Sequence, residues 1–188
     1  MSVLDLCTGS GVLAVTAARA GAASVTAVDV SRRALLTTRV NARRNGVRVR
    51  TVRGSLLDAV SGESFDLIVS NPPYVPAVED EIPRRGPARA WDAGLDGRAL
   101  LDEICVRAPE HLRPGGRLLV VHSSVIGTSE TVQALAEQGL EAEVIERRRG
   151  GLGPLIRGRA ALLRERGMLR PGQDDEELVV IRAKIGNP

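Results

Sequence analysis

Aromatic side chains are scarce in this sequence: Phe65, Tyr74 and Trp91 are the only three. A surface that stacks successive bases of single-stranded nucleic acid needs more rings than that. Cysteine is equally sparse. Cys7 and Cys105 stand alone without metal-ligand spacing, which excludes a disulfide scaffold and a cysteine zinc site and leaves two reduced thiols as the expectation. His111 and His122 are isolated, so core or surface roles are expected for both. No apolar run reaches membrane-spanning length, and no charged-then-apolar leader opens the chain; a cytoplasmic protein that spans no membrane is expected. The net charge is only +3, with 23 acidic residues interspersed among the arginines. Such a balance permits an acidic partner or nucleic acid without requiring one. There is no internal repeat and no linker, and the 188 residues suit one domain, 1–188.

The hydrophobic fraction of 43% is enough for a packed core, and it is distributed as alternating strands and helices. Residues 3–6 read as a strand, followed by Gly9-Ser10-Gly11 and an Ala/Val-rich helix over 12–20. A second strand covers 24–30 and ends near Asp29. Ser31 caps a helix that Gly46 closes. Further strands are expected over 47–52, 65–70, 117–122, 140–146 and 178–183. Helices are expected from about residue 96 to the turn Pro114-Gly115-Gly116 and from Ser129 to Gly139. An insert around 149–175 is basic and glycine-rich, with Leu155, Ile156, Leu162 and Leu163 marking one helix. Together these imply an α/β fold: a doubly wound, mostly parallel, seven-stranded Rossmann-like sheet with an antiparallel last strand.

Two stretches carry chemistry. The first is Asn71-Pro72-Pro73-Tyr74, directly after the apolar strand Phe65–Ser70. Paired prolines stop a strand and stiffen the corner beyond its carboxyl end, where open α/β sheets bind ligands. An amide oxygen from Asn71, a fixed Pro72 carbonyl and the Tyr74 ring can together hold a planar NH2 group. The long proline-rich loop over 72–95 has the length of a functional loop.

The second stretch is the glycine turn. Gly9-x-Gly11-x-x-Ala14 follows a strand and opens a helix, with Asp29 at the end of the next strand. This fits a dinucleotide fingerprint, so a nicotinamide oxidoreductase is one reading. Asp5 separates the readings, because a carboxylate at the mouth of the loop repels a pyrophosphate and suits an ammonium. S-adenosylmethionine (SAM) carries an ammonium, a carboxylate and a ribose with no phosphate, and a helix N-terminus can favour its carboxylate. A P-loop hydrolase is disfavoured, since no Gly-Lys-Ser/Thr follows.

With these motifs the sequence resembles the class I SAM-dependent methyltransferases. More narrowly it resembles the HemK/PrmC family, which methylates the glutamine amide of translation release factors. The resemblance rests on Val3-Leu4-Asp5-Leu6-Cys7-Thr8-Gly9-Ser10-Gly11, Asp29 and Asn71-Pro72-Pro73-Tyr74-Val75-Pro76. Arg89-Ala90-Trp91-Asp92-Ala93-Gly94-Leu95-Asp96-Gly97-Arg98 and Glu176-Glu177-Leu178-Val179-Val180-Ile181 resemble the short branch that lacks a helical N-terminal domain. It covers most of the chain outside the 149–175 insert.

The resemblance implies that Asp5, Cys7, Thr8, Gly9 and Gly11 line the methionine end of the cofactor. Asp29 and Val30 would contact its ribose, and Ser55 and Leu56 its adenine. Asn71 would touch cofactor and substrate, and Pro72, Pro73 and Tyr74 would hold the accepting amide. The family usually has an acid where Ser55 stands, with Asp58 as a nearby substitute, and a segment ahead of the first strand that is missing here. The expected reaction is SAM-dependent methylation of a planar amide or amine nitrogen, without a metal. A protein glutamine in a release factor is the first acceptor, and a small activator protein is a possible partner. The alternatives are methylation of an exocyclic amine of adenine or guanine in nucleic acid, with Arg43-Arg44 and Arg147-Arg148-Arg149 as the basic stretches, and a non-catalytic SAM-binding module.

Overall fold

The computed structural model describes residues 1–83 and 85–185. Seven strands form one sheet: β1 (Ser2–Leu6), β2 (Ser24–Asp29), β3 (Arg50–Arg53), β4 (Phe65–Ser70), β5 (Leu112–Ser123), β6 (Leu140–Gly151) and β7 (Asp175–Ile185). Their order is β3-β2-β1-β4-β5-β7-β6. The first five run parallel, and β7 is antiparallel to both β5 and β6. Four helices cover the sheet: α1 (Val12–Arg19), α2 (Arg32–Arg44), α3 (Ala99–Arg107) and α4 (Thr128–Glu137). Among the described residues, no helix is long and apolar enough to cross a membrane.

Period-two alternation along each strand feeds two cores. Val3, Val25, Ala27 and Val69 point to the face covered by Ala14 and the small residues of α1. Leu4, Leu6, Val28, Ile68, Leu118 and Val120 point to the other face, where Leu101, Ile104 and Leu135 from α3 and α4 close a larger cluster. Each of these fully buried aliphatic side chains contributes about 1.5–3 kcal/mol relative to exposure. Ser31 caps α2 as its sequence requires, its hydroxyl accepting from the Ala34 amide at 3.3 Å.

Four expectations are corrected, the last being the single helix expected in the insert. Pro114-Gly115-Gly116 is no terminal turn but a bulge within β5: Phe65 pairs with Leu112 while Leu67 pairs with Arg117. Gly116 is tight there, because a Cβ would lie 2.8 Å from the Arg113 carbonyl. The edge strand β3 begins only at Arg50, not at residue 47. The last two strands are far longer than their apolar runs, so that Arg147–Gly151 pair with Asp175–Val179. Polar residues stay in register there because ion pairs such as Arg147–Glu177 (2.9 Å) replace apolar burial across the ribbon. At its end the insert folds as two short helices, α5 (Pro154–Gly158) and α6 (Ala160–Glu165). Leu152, Ile156, Leu163 and Leu169 form a satellite core with Val75 and Val125.

Candidate active site

The sheet order reverses between β1 and β4, which is where a doubly wound sheet opens a crevice at its carboxyl ends. Register fixes what meets there. Leu6 is opposite Ser70 and also opposite Val28, so the turns that follow β1, β2 and β4 emerge side by side. The Ser70 hydroxyl ties β4 to β1 by donating to the Leu6 carbonyl at 2.9 Å. A cleft of about 860 Å³ opens above these ends.

The glycine turn is wound tightly by its backbone. Cys7, Gly9 and Gly11 have φ of 56°, 55° and 83°, all left-handed. Such a conformation strains a cysteine and not a glycine. The Thr8 amide donates to the Val28 carbonyl at 3.0 Å, and the Gly11 amide to the Thr8 carbonyl at 2.8 Å. Gly11 has no room for a side chain, because a Cβ would lie 2.7 Å from Cγ2 of Thr38 in α2. Cys7 and Gly9 line the cleft. Burial pushes the Cys7 thiol up to about 12, helped by the charges of Asp29 and Asp5, so it stays a neutral thiol.

Asp5 is placed behind this turn rather than at its mouth. It is 1% exposed. Oδ2 accepts from the Thr8 hydroxyl at 2.6 Å and from the Ala14 amide at 3.0 Å, while Oδ1 has no partner among the described residues. Burial lifts its pKa to about 6, against the two hydrogen bonds that lower it. Asp5, Thr8 and Gly11 therefore shape the turn from beneath.

Asp29 stands on the cleft wall at the end of β2. Its carboxylate accepts from the Gly9 amide (3.0 Å) through Oδ2 and from the Ser31 amide (2.8 Å) through Oδ1. Each oxygen keeps a lone pair for a ligand hydroxyl. Val30, Ser55 and Leu56 line the same wall, Leu56 with a left-handed φ of 38°. Asp58 is turned away and pairs with Arg107 at 2.7 Å.

Asn71 and Pro73 line the cleft across from Asp29, and Asn71 is exposed. Pro72 is buried beneath them. Tyr74 is half-buried, its ring packed on the main core, and burial together with the nearby Glu176 charge raises its hydroxyl pKa. Beyond the corner the backbone doubles back on itself: the Val75 amide donates to the Trp91 carbonyl (2.7 Å) and the Ala77 amide to the Gly94 carbonyl (2.8 Å). Sequence reasoning missed the remaining wall, which is built by Ile82, Pro83, Gly86, Pro87, Arg89 and Ala90. The proline density of the 72–95 loop was the available signal. Nothing in the sequence marked Arg33 and Ala34, which face the same cleft from α2.

This geometry can be set beside known proteins. The profile of the methyltransferase small domain matches residues 1–83. A relative from Methanocaldococcus jannaschii, named "Putative protein N5-glutamine methyltransferase", is 34% identical over 77% of this chain and 73% of its own length. The chain belongs to the protein glutamine methyltransferase family. A release factor glutamine methyltransferase of Geobacter sulfurreducens is 42% identical over 70% of this chain, which spans only 48% of that relative. The chain therefore spans about half the length of the bacterial glutamine methyltransferase it matches. The Thermus thermophilus 16S rRNA N2 G1207 methyltransferase, solved with AdoMet and guanosine, shares the fold with a TM-score of 0.61 at 22% identity, over 98% of this chain and 37% of its own.

Members of this methyltransferase family use SAM, and the residues present fit it. Asp29 retains acceptor capacity for two ribose hydroxyls, Asp5 Oδ1 is a buried acceptor without a partner among the described residues behind the turn, and Gly9, with a left-handed φ and no side chain, leaves backbone open to the cleft.

Proposed function

We propose that this protein is a SAM-dependent N-methyltransferase whose acceptor is a protein glutamine side chain, of the kind found in a translation release factor. The observation that carries the reading is one continuous cleft with Asp29, Cys7 and Gly9 on one wall and Asn71 and Pro73 on the other. A cofactor held by the first group would present its methyl to whatever the second group holds. The bacterial relative's name supplies the acceptor class. An acceptor of that class supports a cytoplasmic location for the proposed enzyme.

SAM supplies an activated methyl on a sulfonium, so the protein has little covalent chemistry to perform and acts by positioning. Asn71 Oδ1 and the Pro72 carbonyl are proposed to accept the two amide N–H bonds. That orientation turns the nitrogen lone pair, otherwise delocalised, toward the methyl carbon. The nitrogen–carbon bond forms as the carbon–sulfur bond breaks, and the product amide then loses one N–H proton to solvent. Tyr74 stiffens the corner through its packing on the core.

The test is transfer of labelled methyl from SAM to recombinant release factor, compared with an RNA pool. Asn71→Ala is expected to lower kcat roughly 100-fold or more while the SAM Kd changes little, the pattern for a contact made in the transition state. Near-normal turnover by Asn71→Ala, or transfer to RNA alone, would sink the reading.

A further inference from the structure

The segment between β6 and β7 has no place in the chemistry above, yet it makes a dense set of contacts to the acceptor corner. Arg159, at the junction of α5 and α6, donates through Nη1 to the Pro76 carbonyl at 2.8 Å and to the Asp92 carboxylate at 2.5 Å. Both members of that ion pair are largely buried. Arg166, just past α6, donates to the carbonyls of Ala77 (2.6 Å), Leu95 (2.9 Å) and Val78 (3.0 Å). These five acceptors all belong to the two strips of backbone, 76–78 and 92–95, that follow Asn71-Pro72-Pro73-Tyr74 and close back on it. Apolar packing reinforces the joint, since Val75 and Trp91 sit on Ile156, Leu163 and Leu169. The insert is itself anchored to the sheet: Glu176 of β7 accepts from the Gly153 amide at 2.6 Å and from the Ser123 hydroxyl.

We propose that the α5–α6 insert is part of the acceptor site, and that Arg159 and Arg166 are positioning residues that hold the loop carrying Asn71 and Tyr74 in its working geometry. The proposal rests on the methyltransferase reading and extends it to residues outside the cleft. Arginine suits the task because its planar fork can bond a carbonyl and a carboxylate, or several carbonyls, at once. A proline corner is stiff locally, but its direction relative to the cofactor wall is set by what it is bolted to. The insert supplies that support from the far side of the loop, away from the β1 turn and the Asp29 wall.

The experiment uses the full chain and four variants: Arg159→Gln, Arg159→Lys, Arg166→Ala and, as a control on the same helix, Glu165→Ala, whose side chain is exposed. Three quantities are measured: methyl transfer to recombinant release factor, the SAM Kd by calorimetry, and hydrogen exchange at the Val75 and Ala77 amides. Displacing a reacting group by about 1 Å can cost roughly 100-fold, so Arg159→Gln and Arg166→Ala are expected to lower kcat roughly 10- to 100-fold. Their SAM Kd should stay within about twofold, the signature of a lost transition-state alignment. Exchange at Val75 and Ala77 should accelerate in both. Both bonds come from the single Nη1 atom, so the three N–H groups of Arg159→Lys can in part replace them, although its side chain is shorter, and it should recover part of the rate. Unchanged exchange and unchanged kcat in the folded Arg variants would overturn the proposal. So would an equal loss in Glu165→Ala, or a SAM Kd that weakens in step with kcat. Wild-type protein that transfers no methyl to the release factor refutes the glutamine reading instead, and the exchange comparison then still decides whether the clamp exists.

Discussion

Asp5 and Asp29 are one residue type in two environments. Asp29 sits on the cleft wall, with two backbone donors and free lone pairs. Asp29→Ala is expected to weaken SAM by roughly 1.5–3 kcal/mol, the scale for hydrogen bonds to a charged group; an unchanged Kd by calorimetry would remove it from the ribose contact. Asp5 is buried, and its pKa rises from 3.8 to about 6. An acid whose pKa is raised by folding binds its proton more tightly in the folded chain. The stability this contributes is complete below about pH 4 and is lost as pH rises through about 6. A shift of that size corresponds to about 3 kcal/mol. Urea unfolding at pH 4 and pH 8 should therefore show a wild-type loss that Asp5→Asn, which has no charge to bury, does not share. Parallel pH profiles would mean that the burial cost is met some other way.

Two glycines separate the elements of the site. Gly11 has a φ of 83° and lies where the β1 turn enters α1, against Thr38 of α2. Gly97, with a φ of 76°, lies ahead of α3, and a Cβ there would stand 2.5 Å from the Tyr74 carbonyl. Both neighbours are constrained, so alanine at either position should cost roughly 1–3 kcal/mol of stability. The functional consequences should diverge. Gly11→Ala pushes α1 from α2 and should weaken SAM binding. Gly97→Ala displaces the proline corner and should lower kcat with the SAM Kd nearly unchanged. If both variants lost SAM affinity alike, the two walls of the cleft would not be mechanically separable.

Across the whole molecule, the basic run Arg147-Arg148-Arg149 is an edge of the sheet and not a groove. Arg147 pairs with Glu177 at 2.9 Å and Arg149 with Asp175, each across the β6–β7 ribbon. Two of the three charges are thus paired locally, so less counterion release is left for RNA binding to exploit. Replacing all three with alanine is expected to leave RNA binding at physiological salt as weak as in the wild type. A gel shift by the wild type that the triple variant loses would revive methylation of a nucleic-acid base amine.

Local chemistry in the sequence determined much of this protein. Short apolar runs placed β1, β2 and β4, Ser31 set the start of α2, and paired prolines ended β4 just before Asn71, because each of these signals acts within a few residues of itself. The glycine turn and Asp29 were legible for the same reason. The tertiary structure decided what depends on distant partners. In sequence Asp5 reads as standing at the mouth of the loop, but its position on the inward side of β1 buries it under Ala14 of α1. Polar stretches on either side of the insert became strand because their charges met across a ribbon, a pairing that no apolar period announces. Ile82, Pro83, Gly86, Pro87, Arg89 and Ala90 became a cleft wall, and Arg159 and Arg166 came to grip the backbone beyond the proline corner across more than 60 residues of sequence. Hydrogen bonds to backbone carbonyls leave no trace in the identity of the accepting residue, so only the folded chain could reveal them.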